Sequence, residues 1–280
     1  ITKKFGINNY MKEGKNMKLL TINVHSWLEN NQLEKLDILA KTIVEKKYDV
    51  IAMQEVNQLI NSENVYSNIK KDNFGKMLLD KINSYGESDY SYYWTYSHIG
   101  FDKYEEGLAI LAKGKVCDVE DFYCTSHQDI HSISSRKILK VTLEINNQTI
   151  EFYSCHMNLP TCEDENIREN LYNLVNHTDD SNLKIFMGDF NTDYFNQKKD
   201  YNMIIEMGLF DTYEMAQKKD DGVTVYKNIS GWEDSMNKKK LDYIFSNREL
   251  NVTESSVIFN NTNYPIISDH NGLEVTIAEK

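Results

Sequence analysis

KLLTINV (18–24) and DVIAMQ (49–54) are two apolar runs of strand length, and the residues between them carry a helical period. Leu33, Leu36, Leu39, Ala40, Ile43 and Val44 recur at helical spacing over 32–47, and Asn31 followed by Glu34 has the form of a capping box. Strand, amphipathic helix and strand in that order predict a β-α-β unit, so the chain reads as α/β with one helix face laid on a sheet.

Further strands are predicted at YYWTY (92–96), GLAILA (107–112), KILKVTLEI (137–145), TIEFYSCHM (149–157), KIFMGDF (184–190), LDYIFS (241–246), VTESSVIF (252–259) and LEVTIA (273–278). Two of these runs flank Asn146-Asn147-Gln148, which reads as a hairpin turn, so the sheet is expected to be mixed. Helices are predicted near 73–84 and 163–177, the second capped by Thr161 with Asp164 three residues on. There is neither an internal repeat nor a linker rich in Pro, Gly or Ser. One domain over 17–280 is therefore expected, with 1–16 as a polar upstream segment.

The 280 residues are 40% hydrophobic and 26% charged with only 2 Pro, which excludes collagen-like and low-complexity classes. A net charge of -12 repels nucleic acid and anionic membranes and argues against a passive polyanion binder. It leaves room for a phosphoester hydrolase, because a bound divalent metal supplies positive charge at one point. Cys117, Cys124, Cys155 and Cys162 form no C-x-x-C pair, so zinc knuckles and thioredoxin-type redox chemistry are disfavoured and reduced thiols in a cytoplasmic protein are expected. No stretch has the length and hydrophobicity of a membrane span or a signal peptide core.

Polar residues suited to metal and phosphate chemistry close one apolar strand after another. Asn23 ends LLTIN, Glu55 follows VIAMQ, His156 ends FYSC, Asp189 and Asn191 follow IFMG, Asp242 opens DYIF, and Asp269-His270 precede the last strand. Strand ends are where open α/β sheets bind ligands. Each residue also has an ordinary explanation: Glu55 as a solvated turn, Asp189 as an Asx-turn beside Gly188, His156 as a part-buried strand histidine. The whole set in order is harder to explain that way.

The segments TINVHSW, IAMQEV, EEGLAIL, SSRKILKV, FYSCHMN, FMGDFNTD, LDYIF and SDHNGLEV together resemble the endonuclease/exonuclease/phosphatase superfamily, from about Met17 to the C-terminus. The resemblance implies a four-layer α/β sandwich, with two mixed sheets face to face and helices outside. It implies a magnesium ion, replaceable by manganese, held by Glu55 with Asn23 and Asp269 at or near it. Asp189 would orient or deprotonate the attacking water, and Asn191 would hydrogen-bond a phosphoryl oxygen. His156 and His270 would grip the phosphate, with Asp242 fixing the second ring nitrogen of His270 for general acid work. Arg136 matches a family arginine that reaches the phosphate. Apart from the resemblance, Trp232 in the loop before LDYIF reads either as a substrate contact or as loop decoration.

The sequence departs from the nuclease branches at Asn57, where a basic residue is typical two positions after the glutamate, and at Asn271-Gly272 after S-D-H. Three function classes follow. The first is a metal-dependent phosphodiesterase of nuclease type, with nucleic acid among its candidate substrates. The second is a phosphomonoesterase or a hydrolase of lipid headgroups such as sphingomyelin or inositol phosphates. The third is a non-catalytic binding module. A monomer is expected, and Lys238-Lys239-Lys240 is the one basic triplet, adjacent to the presumed site.

Overall fold

The computed structural model describes residues 16–145, 148–177, 181–226, 229, 231–232 and 237–278. Strands Met17–Asn23 and Val50–Gln54 pair in parallel, Leu19 opposite Val50 and Asn23 opposite Gln54, with helix Gln32–Lys46 as the crossover. This is the expected β-α-β unit. It lies within an eight-stranded sheet ordered Lys218–Lys219, Val252–Ile258, Gly272–Ile277, Met17–Asn23, Val50–Gln54, Tyr104–Ala112, Gln58–Leu59, with Ser91–Gly100 also paired to Tyr104–Ala112. A six-stranded sheet runs Phe210–Asp211, Asp242–Ser246, Leu183–Asp189, Gln148–His156, Lys137–Ile145, Lys115–Tyr123. Gln148–His156 is antiparallel to Lys137–Ile145 and parallel to Leu183–Asp189, so this sheet is mixed. Gln148 faces Ile145 as the expected hairpin requires, while Asn146 and Asn147 of its turn lie outside the described residues.

Strand side chains alternate between faces, and here both faces are buried, which produces three apolar layers. Leu19, Val50, Ala52, Leu108, Ile110, Phe152, Ile185, Met187 and Ile244 fill the space between the sheets. Their neighbours Leu20, Ile22, Ile51 and Met53 point the other way and meet Leu36, Leu39, Ile43 and Leu78 of the outer helices. On the far side Tyr153, Phe186, Tyr243 and Phe245 pack against Leu171, Leu174 and Ile204. Helices outside, sheets inside: the four-layer sandwich follows from this alternation. No helix of the described residues is long and apolar enough to cross a membrane, and the four cysteines are free thiols.

Two expected caps are replaced. Asn31 takes a left-handed conformation (φ 56°) and makes no side-chain cap; instead Gln32 Oε1 turns back to accept from the Trp27 and Glu29 amides. The third helix runs Ile167–Val175, with Asn166 and not Thr161 accepting from the Arg168 and Glu169 amides. The start is delayed because Glu165 is tied to the 126–127 loop, accepting from the Ser126 and His127 amides. Strand Lys115–Tyr123 and helix Lys198–Glu206 are further elements that the sequence pattern does not announce.

Candidate active site

The alternation that builds the middle core also delivers the polar residues. Asn23 continues the inward row Leu19, Thr21; His156 continues Phe152, Ser154; Asp189 continues Ile185, Met187; Asp242 and Glu106 open rows that run on to Ile244 and Leu108. Strand directions bring all these ends to one mouth of the sandwich. A polar layer separates that mouth from the apolar core: Thr21 Oγ1 donates to Gln54 Oε1 (3.4 Å), Gln54 Nε2 to Ser154 Oγ (3.1 Å), and Ser154 Oγ to the Met53 carbonyl (3.0 Å).

Asp189 uses its oxygens separately. Oδ1 accepts the Asn191 amide at 2.9 Å, the Asx-turn expected beside Gly188. Oδ2 faces the site, with Asn23 Nδ2 at 3.3 Å, His270 Nε2 at 3.7 Å and His156 Nε2 at 3.8 Å. Gly188, just before this turn, lets the strand lie against its neighbour, since at φ 152° a Cβ would collide with the Cys155 carbonyl. His270 Nδ1 lies 2.9 Å from Asp242 Oδ2. Burial works against a charge on His270, but Asp242 and Asp189 outweigh it and hold the imidazolium well above its ordinary value. Burial pushes Asp189 up to about 6, with Asp242 adding to the rise and His270 opposing it.

Asn23 Nδ2 also donates to Glu55 Oε1 at 2.8 Å, so one amide bridges Glu55 and Asp189. Asn23 Oδ1 accepts the His25 amide. Glu55 is pushed up to about 7 by burial, with Glu106 and Asp269 adding repulsion. Asp269 Oδ1 stands 3.6 Å from His25 Nδ1, and Ser268 anchors this corner by donating to the Asn23 carbonyl at 2.7 Å.

On the opposite side Arg136 Nε donates to Asn158 Oδ1 (2.9 Å), and its Nη1 sits 3.4 Å from His156 Nδ1. A guanidinium only donates, so His156 Nδ1 is the acceptor and Nε2 carries the proton toward Glu55 and Asp189. Burial and then Arg136 hold His156 well below its ordinary value, so the ring is neutral. Glu106 completes the group: despite burial, a hydrogen bond from His98 and the charge of Arg136 hold it at about 2.

The structure thus brings together Asn23, Glu55, Arg136, His156, Asp189, Asn191, Asp242, Asp269 and His270. Trp232 joins them indirectly, its indole N–H donating to Asn191 Oδ1 at 3.2 Å while Asn191 Nδ2 donates to the Met157 carbonyl. The basic triplet does not form a patch. Lys239 and Lys240 are buried, Lys240 Nζ donating to the Asp242 carbonyl at 2.9 Å, and only Lys238 is exposed, 3.7 Å from Asp221. A count of charges does not reveal these orientations. Asn57 is likewise fully buried, its side chain donating to the Ser26 carbonyl.

Glu106, Asn158 and the polar layer were not singled out by motif. Parity was the available signal for Glu106, which lies on the inward row of Leu108 and Ile110. Among the described residues, Asp189, Asp242 and His270 offer ligand atoms within 4.8 Å of one another, as do His25, Glu29 and Asp269. Asp242 Oδ1 is buried without a hydrogen-bond partner among the described residues. Buried carboxylates in excess of buried cations fit a divalent cation, although neither cluster includes Glu55 and the first contains the charged His270, which leaves Asp269 as the shared member on the Glu55 side.

A family model described as the Endonuclease/Exonuclease/phosphatase family matches residues 20–270. The chain belongs to this family. Among solved structures, an endonuclease/exonuclease/phosphatase family protein from Leptotrichia buccalis C-1013-b is similar at 54% identity and TM-score 0.90, covering 94% of this chain and 100% of that one. Two distant structures share the fold. The Bacteroides thetaiotaomicron VPI-5482 mannosyl-6-phosphatase Bt3783 is 16% identical with TM-score 0.69, covering 94% of this chain and 100% of its own. D. rerio TDP2 complexed with a single-strand DNA product is 15% identical with TM-score 0.64, covering 94% and 99%. No curated protein matches the sequence.

Proposed function

We propose that this chain is a divalent-metal-dependent phosphoric ester hydrolase that attacks phosphorus in line with water, acting as a phosphodiesterase of nuclease type. The observation that carries the reading is Asp189 Oδ2, a carboxylate oxygen raised toward neutrality and ringed by Asn23, His156 and His270. Glu55 and Asp269 would hold the cation, with Asn23 beside it, and magnesium or manganese would suit these oxygen donors. The bound ion supplies neutralisation of charge on phosphoryl oxygen.

The chain's own groups supply the rest. Asp189, near neutrality, accepts a proton from water at Oδ2 and orients it. His156, neutral with its proton on Nε2, donates a hydrogen bond to a phosphoryl oxygen. The spare N–H of Asn191, whose amide is fixed by Trp232 and Met157, does the same. His270 is charged and held by Asp242, so it neutralises phosphoryl charge and gives a proton to the leaving oxygen. Arg136, braced by Asn158, stands behind His156 as the second fixed cation.

A small ester such as a phosphomonoester or headgroup diester is the second reading, and one observation favours it. Two lysines that could grip a long backbone, Lys239 and Lys240, are buried, and Asn57, standing where a basic residue is typical of the nuclease branches, is buried as well. The two distant neighbours, one a sugar phosphatase by name and one bound to DNA, bracket the same choice. The test is an activity screen with magnesium or manganese over plasmid, abasic duplex, single strands, sphingomyelin, inositol phosphates and sugar phosphates. Hydrolysis abolished by chelator supports the reading; full activity in excess chelator overturns it.

A further inference from the structure

The segment Glu55–Val56–Asn57 is held in an unusual way. Glu55 takes a left-handed backbone (φ 53°), a conformation that costs a non-glycine residue roughly 1–3 kcal/mol and persists only where its surroundings fix it. Here three consecutive carbonyls each accept a side-chain donor. Ser26 Oγ donates to the Glu55 carbonyl at 2.6 Å, Trp94 Nε1 to the Val56 carbonyl at 2.8 Å, and Trp27 Nε1 to the Asn57 carbonyl at 3.1 Å.

These donors are themselves fixed. Ser26 Oγ accepts the Asn57 amide at 2.8 Å, so it links both ends of the segment. Gly107 lets the Trp94 indole approach, because a Cβ there would collide with Nε1, and its carbonyl accepts the Val56 amide. The Trp27 indole is shared with the Asp72 carbonyl at 3.0 Å.

We propose that Ser26, Trp94 and Trp27 are positioning residues that set the divalent-cation affinity of Glu55 by fixing the three carbonyls around its strained backbone. The proposal rests on the reading of Glu55 as a metal ligand. Free backbone rotation at residue 55 would swing the carboxylate away from Asn23, whose side-chain amide donates to Glu55 Oε1. Loss of an outer partner of a metal ligand ordinarily weakens binding about 10- to 100-fold.

The test is manganese binding to the metal-free full chain, read from the paramagnetic resonance of the free ion, alongside the thermal midpoint without metal. Ser26→Ala and Trp94→Phe are expected to raise the manganese dissociation constant by about tenfold or more. Trp27→Phe should do so less, since Phe74 N–H also reaches the Asn57 carbonyl; Ser26→Ala keeps its own N–H on the Glu55 carbonyl at 3.2 Å but loses the Oγ that also accepts the Asn57 amide. A lowered midpoint with unchanged manganese affinity in both Ser26→Ala and Trp94→Phe overturns the proposal, as a merely structural role would give that pattern. Should Ser26→Ala fail to fold, Trp94→Phe, which keeps an aromatic ring, decides alone. Glu55→Gln separates the two levels: if it binds manganese like the unmodified protein, the metal-ligand reading itself fails; if it alone loses binding, only the positioning role fails.

Discussion

Asp189 serves the backbone with one oxygen and the site with the other, so a change that removes charge without shape isolates the second role. Asp189→Asn and His270→Ala are each expected to lower kcat by at least roughly 10²-fold, the scale of lost general acid or base help. Asp242→Asn should cost less, because the imidazole stays present though poorly oriented; steady-state kinetics on any hydrolysed ester checks the order. The same residues predict a pH dependence. The ordinary carboxyl value of 4.5 rises to about 7 for Glu55, and 3.8 rises to about 6 for Asp189. The folded state therefore holds these protons more tightly than the unfolded one. Their stabilising contribution is complete below the ordinary values and is lost as pH rises through about 6 and about 7. His270, also raised, acts in the same direction above 6.5. His156, held below its ordinary value of 6.5, opposes them up to that pH, so the thermal midpoint of metal-free protein should fall most clearly between about pH 6.5 and about pH 8, and added manganese should restore more of it at the upper end. A midpoint that climbs across that window in chelator would show that the buried carboxylates are already compensated.

At the scale of elements, legibility followed burial. Strands buried on both faces, such as Val50–Gln54 and Leu183–Asp189, are continuous apolar runs and could be read directly. Lys115–Tyr123 could not, because it is an edge strand whose side chains are mostly exposed, so neither an apolar run nor a clean alternation marks it. The site divided in the same way. Residues at strand ends inside recognisable segments were legible, whereas Glu106 needed the parity of its strand and Lys239 and Lys240 needed knowledge of which way their backbone faced. Helix caps were less legible than helix positions: the helices expected at 32–47 and 73–84 form at Gln32–Lys46 and Phe74–Ser84, whereas tertiary ties move the start of the third to Ile167. Asn166→Ala should therefore cost about 1 kcal/mol of stability, the usual value of an N-cap, while Thr161→Ala should stay within about 0.5 kcal/mol of the unmodified protein. Denaturant midpoints of the two variants compare them, and equal losses would return the cap to Thr161.

At the scale of the molecule, charge and site geometry pull a polyanionic substrate in opposite directions. The net charge is -12, and the basic triplet that sequence placed beside the site turns two of its three cations inward. Arg136 is engaged with Asn158 and stands behind His156, so it meets at most the one phosphate under attack. Binding of an intact duplex would then neutralise about one or two phosphates, and the salt slope of roughly 0.9 per phosphate makes the dependence shallow. Metal-free affinity should lie near the weak end of non-specific binding, about 10⁻⁴ M. Cleavage of DNA, where it occurs, should favour short or distorted ends that thread a single phosphate into the mouth between the sheets. Titrating a duplex of about 20 base pairs between about 50 and about 200 mM salt tests this at the level of the whole surface. Sub-micromolar binding with a steep slope would require a basic groove built by other residues, and would put a dedicated DNA nuclease well ahead of a small-ester hydrolase.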